Sequence, residues 1–100
     1  MAEVVWTEPA LDQLNDLTEY IALDKPDAAS RLVERVFEAT ERLAEFPDSG
    51  RRPPELVASV YRELVVPPCR IFYRREEEHL YILYVLRQEQ EIRRYLSPSE

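Results

Sequence analysis

One hundred residues can enclose one hydrophobic core but not two, so the chain reads as a single domain over residues 1–100. Apolar residues make up 45% and charged residues 33%, the balance of a globular protein rather than a disordered one. The net charge of −7 argues against a surface that grips nucleic acid indiscriminately.

Residues 1–9 hold no basic region and no long apolar stretch, so neither a secretory signal nor a membrane span is expected. The lone cysteine, Cys69, has no partner for an internal disulfide and no cluster of metal-ligand residue types around it. It reads as a small residue near a strand turn. A reducing, cytoplasmic setting without metal or cofactor is expected.

Val4-Val5-Trp6 is a short β-prone run and predicts a first strand. Thr7 stands where a helix N-cap belongs, with Glu8 and Pro9 in the first turn. Ala10, Leu14, Leu17 and Ile21 then recur at helical spacing, widened by Leu11, while Asp12, Asp16 and Glu19 face away. This helix is predicted to end near Leu23. Asp24-Lys25-Pro26-Asp27 repeats the start signal, with Asp24 as the cap. A second amphipathic helix follows, carrying Ala29, Leu32, Val33, Val36, Phe37, Thr40, Leu43 and Ala44 on one face. Glu38–Arg42 and Arg35–Glu38 are spaced to pair along it. Phe46-Pro47-Asp48-Ser49-Gly50 stops it, with the chain's one glycine available for a left-handed turn. Two such helices joined so tightly must fold back as a hairpin.

Residues 51–59 read as an irregular loop. Beyond it the period changes from helical to alternating, and residues 61–66, 70–75 and 80–86 predict three strands. Pro67-Pro68 and Glu76-Glu77-Glu78-His79 separate them, which predicts an antiparallel meander. Ile92, Tyr95 and Leu96 return to helical spacing in the tail over 88–100 and mark a short closing helix. Strand, helical hairpin and meander, with one sheet face resting on the hairpin, predict an α+β fold in the order β-α-α-β-β-β.

Charge is unevenly spread along this order. Residues 1–50 hold 12 acidic and 4 basic side chains, a balance of −8, whereas residues 51–100 hold 8 and 9, a balance of +1. Every basic residue of the second half is arginine, which forks onto carboxylates or phosphates and stacks on rings. That half is a candidate recognition surface. The competing reading is that its arginines pair with acids of the first half.

Four segments carry a family likeness. Trp6-Thr7-Glu8-Pro9-Ala10-Leu11 opens the first helix, and Tyr20-Ile21-Ala22-Leu23-Asp24-Lys25-Pro26-Asp27-Ala28-Ala29 turns between the two helices. Phe46-Pro47-Asp48-Ser49-Gly50-Arg51-Arg52 stops the second helix. Tyr61-Arg62-Glu63-Leu64, Cys69-Arg70-Ile71-Phe72-Tyr73-Arg74 and Tyr81-Ile82-Leu83-Tyr84-Val85-Leu86-Arg87 supply the strands in order. In order and spacing, over about residues 4–96, the chain resembles the RelE/ParE toxins of type II toxin–antitoxin systems. The resemblance implies a growth-arresting toxin held inactive by a cognate antitoxin in a hetero-oligomer. It leaves the target open. RelE-like members cut messenger RNA on the ribosome without metal, and ParE-like members poison DNA gyrase without a catalytic set.

Metal-free RNA cleavage needs an activated 2′-hydroxyl, a stabilised phosphorane and a protonated leaving group. On the resemblance, Arg62, Arg70, Arg87 and Tyr95 are the residues for those roles, but Leu64 stands where a second strand base belongs. Gln88-Glu89-Gln90-Glu91 replaces a basic segment, and acids there oppose a phosphate. His79, in an acidic turn, reads as a solvated residue, and Glu63 as solvated or ion-paired rather than catalytic. Gyrase poisoning therefore leads, with the ribosome-dependent nuclease and a non-toxic binding module of the same fold as alternatives. Candidate target contacts are Arg70, Arg74, Arg87, Arg93 and Arg94. Candidate antitoxin contacts are the apolar Val57, Val60, Ile92 and Leu96. Arg70→Ala is expected to weaken toxicity while leaving the fold intact.

Overall fold

A computed structural model describes residues 1–96. Strand β1 (Glu3–Trp6) leads into helix α1 (Glu8–Ala22), and α2 (Pro26–Glu41) folds back beside it. Strands β2 (Arg62–Val66), β3 (Cys69–Glu76) and β4 (His79–Arg87) follow as the predicted meander. A 3-10 turn at Ile92–Tyr95 stands where the closing helix was expected, and residues 97–100 of that expectation lie outside the described residues.

The sheet runs β1-β4-β3-β2. Its meander is antiparallel, but β1 joins β4 in parallel, from Glu3 opposite His79 to Trp6 opposite Ile82. The hairpin is the crossover that such a parallel return requires. Ala10, Leu14, Leu32 and Val36 of the helices meet Ile71, Tyr73, Leu80 and Ile82 of the sheet in the main core. Each fully buried aliphatic side chain there contributes on the order of 1.5–3 kcal/mol. Trp6 packs on Phe37 of α2, with ring centroids 5.0 Å apart. A smaller core of Phe72, Leu86 and Ile92 lies against Leu56, Tyr84 and Leu96. The alternation along β3 sends Ile71 and Tyr73 to one core and Phe72 to the other.

Several local expectations are corrected. Thr7 occupies the N-cap position of α1 as expected but makes no side-chain cap bond; its hydroxyl donates to the Ile82 carbonyl at 2.7 Å and ties the end of β1 to β4. Lys25, not Asp24, occupies the cap position of α2, without a side-chain cap bond, because Pro26 itself begins the helix. Neither Glu38–Arg42 nor Arg35–Glu38 appears among the ion pairs of the described residues, and Arg35 donates instead to the Pro67 carbonyl at 2.9 Å.

Gly50 adopts no left-handed conformation; the residue with positive φ is Glu77, at 54°, in the β3–β4 turn. Glycine is required at position 50 by close approach. A Cβ there would stand 2.5 Å from the Tyr73 hydroxyl and 2.8 Å from the Glu63 carbonyl oxygen, and the Gly50 N–H donates to that hydroxyl at 2.9 Å. The contact anchors the loop after α2 to the sheet and brings Arg51 alongside β2. There Arg51 and Glu63 exchange both backbone hydrogen bonds.

Candidate functional site

Arg70 is the second residue of β3 and shares the face of Phe72, opposite the main core. Its side chain is buried, with the guanidinium 4.8 Å above the Phe72 ring centre. Nε donates to Glu63 Oε2 at 2.8 Å, and the two terminal nitrogens fork onto Glu55 at 2.6 and 2.9 Å. Glu63 is 1% exposed, and its other oxygen accepts from Arg51 Nε at 2.7 Å. Two arginines and two glutamates thus form one neutral cluster, so that of the two states expected for Glu63 it is ion-paired and not solvated. The fork from Arg70 holds the Glu55 carboxyl down at about 2 against the opposing effect of burial, and Glu55 holds the guanidinium firmly protonated.

The cluster reaches the tail through Gln90, a residue that sequence reasoning had placed only in an anomalous acidic segment. Its carbonyl accepts from Arg70 at 2.9 Å and its side-chain oxygen from the Arg87 N–H at 2.8 Å. Its amide donates to the Tyr95 hydroxyl at 3.0 Å. Arg70 and Tyr95 therefore meet one glutamine through their side chains, and Arg87 meets it through its backbone alone. Arg62 is not with them. It lies opposite Tyr73 in the strand register and donates to the Gly50 carbonyl at 2.8 Å, beside Asp48. Adjacent strand residues face opposite ways, so Arg62 and Glu63 cannot share a site.

Three of the other candidate arginines carry acids of their own. Arg74 pairs with Glu76, and its Nε is buried without a hydrogen-bond partner. Arg87 pairs with Glu89 at 2.9 Å, and Arg93 with Glu91, whose carboxyl that contact lowers. Arg94 is exposed and has no ion pair among the described residues. Asp48 is the one acid of the first half to engage these arginines, through Arg62 and Arg75. The pairing expected as the competing reading is therefore present, but chiefly within the second half. Among the described residues, the acids of the helical hairpin form no ion pairs.

Val57 and Val60 are 62% and 68% exposed, whereas Leu96 is partly covered by the second core. Ile92 is fully buried beneath the tail and offers a partner no surface, because Phe72 and Leu86 already cover it. His79 is exposed and stacks on Tyr81 at 5.9 Å. It begins β4 while Arg87 ends it, a separation of about 26 Å at strand rise, too far to serve as a base for this cluster. Cys69 is buried, and burial raises its thiol to about 11. Among the described residues, no three His, Cys, Asp or Glu side chains group as a metal site, and no helix is long and apolar enough to cross a membrane.

A helical hairpin on one face of a four-stranded sheet, with a charge-neutral arginine cluster on the other, defines a class of small α+β proteins. In overall fold the chain is similar to a solved structure, "Chromosomal ParDE TA system from P. aeruginosa", with a TM-score of 0.75 at 21% identity. That similarity covers 89% of this chain and 98% of the other. Residues 4–92 match the family described as ParE toxin of type II toxin-antitoxin system, parDE. The chain belongs to this family, and is thus a type II toxin of the ParE/RelE kind. It is 45% identical over 74 residues to "Toxin RelE2" of Caulobacter vibrioides, spanning 73% of this chain and 80% of that one. It is 42% identical over 87 residues to "Putative toxin Y4kP" of Sinorhizobium fredii, spanning 83% and 88%.

Proposed function

We propose that the toxin arrests growth by poisoning DNA gyrase and is neutralised by a cognate antitoxin. The observation that supports a protein target over an RNA one is the state of Arg70. A scissile phosphate would have to displace Glu55 or Glu63 from a guanidinium already bonded to both. Both carboxylates nearest to it are held by arginines, so neither is free to take a proton from a 2′-hydroxyl. Arg74, Arg87, Arg93 and Arg94 are the proposed target contacts, and Arg70 acts behind them by joining the loop over 51–61 to the tail. Val57, Val60 and Leu96 are proposed antitoxin contacts.

One observation favours the ribosome-dependent nuclease: Gln90 is bonded to the side chains of Arg70 and Tyr95 and to the backbone N–H of Arg87, three of the residues that chemistry would use. Controlled expression of the chain alone in bacteria separates the readings. Arrested filamentous cells with a DNA-damage response and intact messages are the expected result. Messages cut within codons, without a damage response, would assign the nuclease activity instead. Normal growth with antitoxin binding retained would mark a non-toxic binding module.

A further inference from the structure

Gln90 is held at both ends of its side chain. The oxygen accepts from the Arg87 N–H at 2.8 Å, and the amide nitrogen donates to the Tyr95 hydroxyl at 3.0 Å. A backbone N–H can only donate, so the oxygen end must be the one that faces Arg87. The two ends of this carboxamide are therefore not interchangeable, as they are where the partners can both give and take. It follows that Tyr95 accepts from Gln90, and that its own proton is directed elsewhere. Among the described residues that proton has no acceptor. Tyr95 is 39% exposed, with the Tyr84 ring centre 6.1 Å from its own. It lines a hollow of about 350 Å³ that Gln13, Asp16 and Arg87 share. The Gln13 oxygen is taken by the Val85 N–H at 2.8 Å, Arg87 offers only donors and pairs with Glu89, and no hydrogen bond joins Asp16 to Tyr95.

We infer that Gln90 is a positioning residue, which turns the Tyr95 hydroxyl outward as a donor to an acceptor oxygen on the target protein. The inference rests on the gyrase reading above, and adds one contact and the residue that sets its polarity. Hydrogen-bond chemistry selects the acceptor. A donor on the target would find the phenol oxygen already occupied by Gln90 and would lose its water without replacement. Arg94, in the same 3-10 turn, is exposed and without an ion pair among the described residues. A carboxylate suits a turn that carries both a neutral donor and a free cation. Gln90 in turn is anchored from behind, because its backbone carbonyl accepts from the buried Arg70 at 2.9 Å.

The test expresses the full chain from a titratable promoter and scores growth arrest against the measured toxin level, with a urea midpoint for each purified protein. Tyr95→Phe keeps the ring and removes the hydroxyl. Roughly tenfold more toxin should then be needed for equal arrest, with the midpoint little changed. Gln90→Glu keeps an oxygen for the Arg87 N–H but sets a carboxylate oxygen opposite Tyr95, which draws the phenol proton inward. Arrest should fall as far as in Tyr95→Phe while the midpoint holds or rises, and the double variant should lose no more than either single one. The NMR shift of the hydroxyl-bearing carbon of Tyr95 should move in Gln90→Glu. A residue that merely held the tail would lose arrest and stability together, and that result overturns the inference. So does full arrest by either single variant at equal toxin level. If Tyr95→Phe arrests fully yet binds the product of the adjacent gene more weakly, the hydroxyl serves the antitoxin instead. Purified gyrase acting on plasmid tests the underlying reading separately. A wild-type chain that arrests growth without raising cleaved plasmid rejects gyrase as the target, while the arrest ratios still decide the role of Gln90. Messages cut within codons would place the acceptor on RNA and reject a protein contact.

Discussion

The guanidinium of Arg70 forks onto the carboxylate of Glu55 at 2.6 and 2.9 Å, across 15 residues of chain, and so binds an irregular loop to the second residue of β3. Behind this pair, Glu63 closes the cluster from the interior of the sheet. The loop, the sheet and the tail therefore meet at one buried cation.

Arg70→Ala leaves the carboxylate of Glu63 buried with only Arg51 to neutralise it, and cuts both loop and tail contacts. Removing one partner of a buried pair costs about 3–5 kcal/mol, so urea denaturation should show a loss of that order. This replaces the expectation that the substitution spares the fold. A loss of toxicity in Arg70→Ala thus reports positioning unless the folded fraction is measured beside it. A variant as stable as wild type would return Arg70 to the list of direct target contacts.

The depressed Glu55 carboxyl predicts a pH signature. Its folded pKa of about 2 lies below the ordinary carboxyl value of 4.5, so the stabilisation is fully present above 4.5. It is lost progressively as pH falls from there through about 2. Glu55→Gln should flatten that part of the wild-type stability profile, read as the difference between the two urea midpoints across pH. Parallel profiles would show that the fork contributes nothing to acid stability.

Gly50→Ala places a methyl group 2.5 Å from the Tyr73 hydroxyl and 2.6 Å from its ring. Neither the buried ring nor the backbone of Glu63 is free to withdraw, so a destabilisation of about 1–3 kcal/mol is expected from overpacking. Adding Tyr73→Leu should recover part of the strain in a double-mutant cycle. Simple additivity of the two changes would count against the contact.

Ile92→Ala should cost about 2–5 kcal/mol through the cavity it opens under the tail. Limited proteolysis should then cut between residues 88 and 96 sooner than in wild type. An unchanged cleavage pattern would mean that the tail is held by Gln90 rather than by Ile92.

Arg94 offers the contrasting case, exposed and without an ion pair among the described residues. Arg94→Ala should shift stability by less than about 0.5 kcal/mol while reducing growth arrest on expression. Full toxicity at equal protein level would remove it from the proposed target surface.

Much of the fold was legible because its determinants are local. The apolar period of Ala10, Leu14, Leu17 and Ile21 needs only the pitch of a helix to define a buried face. The alternation over β3 needs only the pleat of a strand. The segments bearing the family likeness are of the same kind, since they mark starts, turns and stops. Caps were less legible: Thr7 stands at its cap position, yet its hydroxyl donates to the Ile82 carbonyl, 75 positions away, and accepts from no N–H of α1, while Lys25 takes the position expected for Asp24.

By itself, then, the sequence determined two amphipathic helices, three alternating strands and an acidic half joined to an arginine-bearing one. What only the tertiary structure decided was which charges meet. Arg70 reaches Glu55, Glu63 and Gln90 because β2, β3, a loop and the tail converge there, and no spacing along the chain encodes that convergence. Arg62 departs from the same set because strand alternation turns it to the opposite face. Periodicity is a property of neighbours in sequence, whereas the state of a charge depends on neighbours in space and on how much water they exclude.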